Sequence, residues 1–321
     1  MSKAVYNQRR LLGFGLANAF FGGLPRQVSY VLMAVVGWVV ATVFPSRVAG
    51  LRRNLEHVFP GHSPAQITDL MQRNAKNYGK FWVDLFKMPR LRPAYRNGLA
   101  TVDGIENLEA IMDRGLGCIA MSIHMGGWEG CVSFWGATSP WPTSLIAEVL
   151  EPPELWQKVL KLRESTGMAV IPLRRTAPRE ILRRLKNNEI VLAAVDRDIL
   201  GGGKPQRFFD STISVSSGLF EVAQRTGAGI LPMVCYRNPD DTYKFLGMEP
   251  IWVEPGAEGI QAATDTALRK FEDCIRRFPD QWHVMVPIFT EAPEAVPLQA
   301  RPNVPARVAV MPGAEAEEHV G

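Results

Sequence analysis

The sequence predicts an α/β fold: a mostly parallel central sheet flanked by helices, preceded by an N-terminal helical segment that contacts a membrane. Short β-type runs alternate with helical stretches from about residue 105 to residue 236, the signature of strands joined by crossover helices. The 17 residues from Val28 to Phe44 carry no charge and are bounded by Arg26 and by Pro45 with Arg47. The chain has 321 residues, 46% hydrophobic and 21% charged, which excludes a polytopic membrane protein and a disordered chain. A net charge of +4 is too small to point to nucleic acid, and no such partner is expected. The charge is unevenly placed, however. Residues 1–60 hold seven Lys and Arg against Glu56 alone, whereas residues 291–321 hold two Arg against five Glu.

Taken in order, residues 1–60 form a basic and apolar segment. The apolar run ahead of Ala17-Asn18-Ala19 is about six residues, shorter than a signal peptide needs. Val28–Phe44 sits at the lower limit for a spanning helix, and its basic flanks equally suit a helix lying on an anionic bilayer surface. Ser63-Pro64-Ala65-Gln66 is a capping box with Pro at the first helical position, and apolar residues from Ile67 to Phe86 keep helical spacing until Pro89, where the helix is expected to stop. Strands are predicted over Gly117–Ile123, Thr143–Val149, Met168–Leu173, Glu189–Val195 and Gly229–Tyr236. Helices are predicted over Ile105–Arg114, Gly127–Trp135, Pro153–Thr166, Pro178–Asn187, Ser216–Thr226 and Ile260–Arg277. With no linker inside it, 61–290 reads as one domain. Residues 291–321, Pro- and Glu-rich without periodicity, read as a disordered tail.

In open parallel sheets, sites gather where strands end and helices begin. The strand ending at Ile123 runs into His124-Met125-Gly126-Gly127-Trp128-Glu129. The two glycines allow a tight turn, which would place Glu129 one turn into a helix and able to face the imidazole. A carboxylate there fixes the tautomer and stabilises the imidazolium of a general base. The N–H groups near Gly126 and Gly127 are candidate donors to a developing oxyanion. Six basic residues, Arg174, Arg175, Arg179, Arg183, Arg184 and Lys186, read as a solvated face or a surface for anionic lipid or an acidic carrier protein. Cys118, Cys131, Cys235 and Cys274 form no CxxC pair and have no His at zinc-finger spacing, so they read as buried reduced thiols and no metal is expected. Gly201-Gly202-Gly203-Lys204 is not a P-loop. The chain has neither G-x-S-x-G nor H-E-x-x-H, against a serine esterase or zinc hydrolase.

Several stretches in the same order resemble the bacterial lysophospholipid acyltransferase superfamily, and within it the lipid A (Kdo-dependent) and phosphatidylinositol mannoside acyltransferases. They are Arg52-Arg53-Asn54-Leu55 with Phe59-Pro60, Asp103–Leu108 with Arg114-Gly115, Ser122–Gly130, Leu162-Arg163-Glu164 with Gly167, Asp196-Arg197-Asp198, Phe208-Phe209, Arg225–Ala228 and Gln281-Trp282-His283. The resemblance covers roughly residues 20–290 and implies an acyltransferase domain with His124 as general base on an acceptor hydroxyl and Glu129 as its partner. It further implies Arg163, Asp196 and Arg197 around the head group or the donor's phosphate; residues alone equally allow an ion-pair set. The implied partners are a membrane lipid acceptor, an anionic membrane surface, and acyl-CoA or acyl carrier protein as co-substrate, with no other cofactor. The implied place is the cytoplasmic face of the cell inner membrane. Two departures stand out: Asp210 where relatives have Gly after the two phenylalanines, and Glu221 in the following helix. The same residues also fit an acyl-thioester hydrolase or a non-catalytic lipid-binding membrane protein.

Overall fold

The computed structural model describes residues 3–94 and 98–290; the expected tail lies outside them. Helices α1 (Lys3–Gly23), α2 (Arg26–Val43), α3 (Ala49–Val58) and α4 (Pro64–Ala94) come first. The capping box forms as expected: the Ser63 N–H donates to Gln66 Oε1 at 2.8 Å, and the Gln66 N–H donates to Ser63 Oγ at 3.3 Å. The helix does not stop at Pro89. It continues to Ala94 although Pro89 withholds its N–H and crowds the carbonyl four residues before it, and the Lys87 ammonium and Arg90 guanidinium on either side donate to the Leu24 and Gly22 carbonyls at the end of α1. These cations satisfy orphan carbonyls of a helix C-terminus and tie the last turns of α4 in place.

The body then alternates β1 (Ala100–Asp103), α5 (Ile105–Met112), β2 (Cys118–Ser122), α6 (Trp128–Thr138), β3 (Thr143–Ala147), α7 (Pro153–Glu164), β4 (Ala169–Pro172), α8 (Ala177–Lys186) and β5 (Ile190–Ala194). A hairpin of β6 (Lys204–Phe208) and β7 (Ser211–Val215) follows, then α9 (Gly218–Thr226), β8 (Gly229–Arg237), β9 (Tyr243–Gly247), α10 (Gly256–Arg277) and β10 (Phe289–Thr290). Seven strands form the main sheet in the order β1-β9-β8-β2-β5-β3-β4. All neighbours are parallel except β8 and β9. A small antiparallel sheet, β10-β7-β6, stands beside it. The predicted strands β2, β3, β4, β5 and β8 are present. The short β1, β6, β7 and β9 carry charged, hydroxyl or amide residues between their apolar ones and have weak apolar signals.

Side chains alternate across the central strands and feed two cores. Ile119, Met121, Val191 and Ile230 pack with α8, α9 and α10 residues such as Leu185, Phe220 and Phe271. Cys118, Ala120, Leu192 and Leu231 pack with α4 to α7 residues such as Leu85, Ile111, Val132 and Trp156. Ser122, Glu129, Asp196 and His283 are buried polar residues near the carboxyl ends of β2 and β5. Cys118, Cys235 and Cys274 are free and buried. At the β6–β7 turn, Phe209 takes the left-handed backbone (φ +53°), its N–H held by Glu272 at 2.6 Å, and Asp210, at the position where the resemblance expects glycine, does not need a positive φ. Glu221 is exposed and accepts from the Ser217 hydroxyl at 2.6 Å.

Helix α2 lies along α4. A Cβ at Gly37 would stand 2.1 Å from the Ala75 carbonyl oxygen, and one at Gly79 would stand 2.2 Å from that of Met33, so only glycine permits this approach. One face of α2 is buried through Ser29, Tyr30 and Ala41, while Val28, Val31, Val35, Val36 and Val43 are exposed on the rest of its surface.

Candidate active site

The sheet register builds the centre of the site. Strands β2 and β5 are adjacent and parallel, with Ser122 opposite Ala194. Two residues further along each chain, His124 and Asp196 leave the sheet side by side. Asp196 Oδ1 lies 2.7 Å from His124 Nδ1, and its Oδ2 accepts the His124 main-chain N–H and the Trp282 indole N–H, each at 3.0 Å. Burial alone would raise the Asp196 carboxyl, but the adjacent imidazole and the hydrogen bonds from His124 and Trp282 hold it below the ordinary carboxylate range. An ionised carboxylate on Nδ1 puts the ring proton there and leaves Nε2 as the basic atom. The His124 side chain is 25% exposed above its fully buried partner.

A strap from the 3-10 turn at Pro279–Gln281 crosses beneath this pair. Met125 and Trp282 form an antiparallel bridge, the Gly126 N–H donates to the Gln281 carbonyl, and the His283 N–H donates to the His124 carbonyl, both at 2.7 Å. Gly126 turns with φ +60°, and a Cβ on it would stand 2.1 Å from the Cys235 carbonyl oxygen; one on Gly127 would stand 2.4 Å from the Tyr243 ring. Both glycines therefore serve the turn. The Gly126 N–H, one of the candidate oxyanion donors, donates to the Gln281 carbonyl in this arrangement.

Glu129 occupies the first turn of α6 and is buried, but it does not face the imidazole as expected. The turn instead directs it at α7, where Arg163 donates Nε–H to Oε2 at 3.2 Å and a terminal N–H to Oε1 at 2.5 Å. The imidazole's carboxylate is Asp196, which the resemblance had placed around the substrate. Arg197 is paired with Glu148 at 3.2 Å. Asp196 and Trp282 thus hold positions that the spacing of residues in sequence did not assign.

Two further buried features support the strap. His283 Nδ1 lies 3.0 Å from Asn74 Oδ1, and burial, together with the charges of Arg237 and His124, pushes its pKa down to about 3, so it is neutral at physiological pH. Asp84 accepts from Tyr30 at 2.5 Å and Tyr243 at 2.6 Å and is ion-paired with Arg237. The Arg237 main chain in turn exchanges two hydrogen bonds, 2.8 and 3.0 Å, with the Gln281 side chain. Tyr30 belongs to α2, so the helix, the strap and the glycine turn share one polar cluster.

His124, Glu129, Arg163, Arg197 and His283 line a cavity of about 680 Å³ whose wall includes Trp82, Leu145, Val159, Ile181 and Val222. The volume and apolar wall suit a chain-bearing ligand. Among the described residues, no three His, Cys, Asp or Glu side chains converge as a metal site. The fold and site define an α/β enzyme with a carboxylate-held histidine at the carboxyl ends of parallel strands, opening onto an apolar cavity. Within that class, the chain belongs to the bacterial lipid A biosynthesis acyltransferase family, which matches residues 11–290. It is 30% identical over 244 residues to a phosphatidylinositol mannoside acyltransferase of Mycobacterium tuberculosis, covering 74% of this chain and 75% of that protein. A Mycolicibacterium smegmatis phosphatidylinositol mannoside acyltransferase is 27% identical over 74% of this chain and 78% of its own. The lipid A biosynthesis lauroyltransferase of Escherichia coli is 25% identical over 85% and 89%. The chain is accordingly an acyltransferase of the lipid A and phosphatidylinositol mannoside type.

Proposed function

We propose that this acyltransferase moves a fatty acyl chain from the thioester of acyl-CoA or acyl carrier protein to a hydroxyl of a membrane glycolipid or phospholipid, with His124 as general base. The single observation that carries the reading is the His124–Asp196 pair, with Nδ1 held at 2.7 Å and the ring facing the cavity. Nε2 takes the acceptor's proton as its oxygen attacks the thioester carbonyl. Collapse of the tetrahedral intermediate breaks the C–S bond, and the imidazolium returns the proton to the thiolate, giving an ester and a free thiol. Asp196 stabilises the imidazolium between these steps. The Glu129–Arg163 pair, buried on one side and cavity-facing on the other, shapes the wall beside the base.

The acceptor reaches the site from the cytoplasmic face of the inner membrane, on which α1 and α2 lie. Support comes from Leu12, Leu16 and Phe20 of α1 and Val28, Val31, Val35, Val36 and Val43 of α2, all exposed, next to the basic residues of the first sixty. Helix α2 is long and apolar enough to cross a membrane, but its buried residues run from Ser29 to Ala41, so it packs on the body along its length. That favours an interfacial position. The test is lipid mass spectrometry on one mixture of thioester and candidate acceptors: acylated lipid is the expected product, and free fatty acid alone would make the protein a hydrolase.

A further inference from the structure

We propose that Arg10, Arg174 and Arg175 form a phosphate-binding subsite at the rim of the cavity, which takes the phosphate ester of an acyl-bearing amphiphile. The proposal rests on the reading that acyl transfer occurs in this cavity. Five arginines and three carboxylates line it, and each carboxylate is already engaged. Glu129 holds Arg163 and Glu148 holds Arg197. Asp198 accepts the Gly201, Gly202 and Gly203 N–H groups at 2.8 to 3.3 Å and the Ser214 hydroxyl at 2.7 Å. Arg10, Arg174 and Arg175 remain, exposed and without a carboxylate partner among the described residues.

Their placement gives the surplus a direction. Arg174 and Arg175 occupy the turn between β4 and α8, at the same carboxyl end of the sheet as His124, and Arg10 reaches the cavity from α1. Uncompensated cations at the rim of a low-dielectric cleft focus the field on an incoming anion. Guanidinium groups match phosphate oxygens with paired donors. The buried side chains of Leu145, Val159 and Ile181 behind them accept a hydrocarbon chain. A ligand satisfying both parts is a phosphate ester with an alkyl or acyl chain, which a neutral glycolipid is not. The phosphate belongs either to the thioester donor or to the acceptor lipid.

Trp82 and Trp128 line the cavity, so intrinsic fluorescence of the full chain reports binding without turnover. Dodecyl phosphate, titrated below its micellar concentration, is expected to bind roughly tenfold or more tightly than dodecyl glucoside. In an Arg10→Ala/Arg174→Ala/Arg175→Ala variant that preference disappears while glucoside binding stays as in the wild type. Equal affinity of the wild type for both probes, or an undiminished preference in the variant, overturns the proposal. Because no turnover is read, the subsite can stand even if acyl transfer fails, and the reverse holds too. Repeating the titration with an alkyl-CoA thioether and with lysophosphatidylinositol identifies the source. Loss confined to the thioether assigns the donor's phosphate, loss confined to the lipid assigns the acceptor's, and loss of both makes the subsite shared. No loss for either contradicts a substrate phosphate at this rim.

Discussion

Trp282 gives the most specific residue-scale expectation. Its indole N–H is one of three hydrogen-bond donors on the Asp196 carboxylate. Trp282→Phe keeps the ring and removes that donor, which makes the carboxylate more basic and strengthens its hold on a protonated imidazole. The acid limb of kcat should then move to higher pH and kcat at neutral pH should fall by roughly tenfold, with KM unchanged; a pH–rate profile reads this. A purely structural role for Trp282 would change stability and leave the limb where it was. Glu129 behaves differently. Glu129→Gln leaves Arg163, 14% exposed, without its counter-charge, and should cost about 2–4 kcal/mol in denaturant unfolding. Adding Arg163→Met should recover stability but not turnover. His124 and Glu129 stood out in the sequence because two glycines join them, yet their pairing did not follow. The partner of His124 depends on β5 lying next to β2, and the chain makes β3 and β4 between them. Once adjacency is known, the register supplies Asp196 at once, since both residues lie two positions past an aligned pair.

At the scale of elements, α2 has two faces with different duties. Gly37→Val places side-chain atoms into the Ala75 backbone and should loosen α2 from α4, lowering stability by several kcal/mol as read by urea unfolding. Val31→Asp, on the exposed side, should leave stability within about 0.5 kcal/mol while weakening sedimentation with anionic vesicles. Weakened vesicle binding by Gly37→Val alone would reverse these assignments. The charge-free run made α2 legible, and its length could not separate spanning from lying flat. The tie is in Tyr30, buried at 1% exposure in a cluster drawn from α4, β8 and β9, elements far apart in sequence. Helix α4 teaches the same lesson. Pro89 is a stop by local rules, and tertiary bonds from Lys87 and Arg90 to the end of α1 carry the helix past it.

On the scale of the molecule, stability should depend on pH through His283. Its folded pKa, about 3, lies below the unfolded value near 6.5. Between these values the unfolded chain binds the extra proton, so stability rises with pH across that window and falls by up to about 1.4 kcal/mol per unit on acidification. Denaturation at pH 6.5 and 5 should show the loss in the wild type and a smaller one in His283→Gln. Most of the architecture was readable because hydrophobic runs recur at strand and helix periods over the whole body. The neighbours within the sheet were not readable, and the site is made of neighbours. That is why the family motifs located the residues while the geometry assigned their partners. The general-base role of His124 is decided by one comparison of wild type and His124→Ala, supplied with an acyl thioester and a phosphoglycolipid acceptor. The ester product should fall by about a thousandfold with thermal midpoint and vesicle binding retained; ester formed by the variant at the wild-type rate would contradict it.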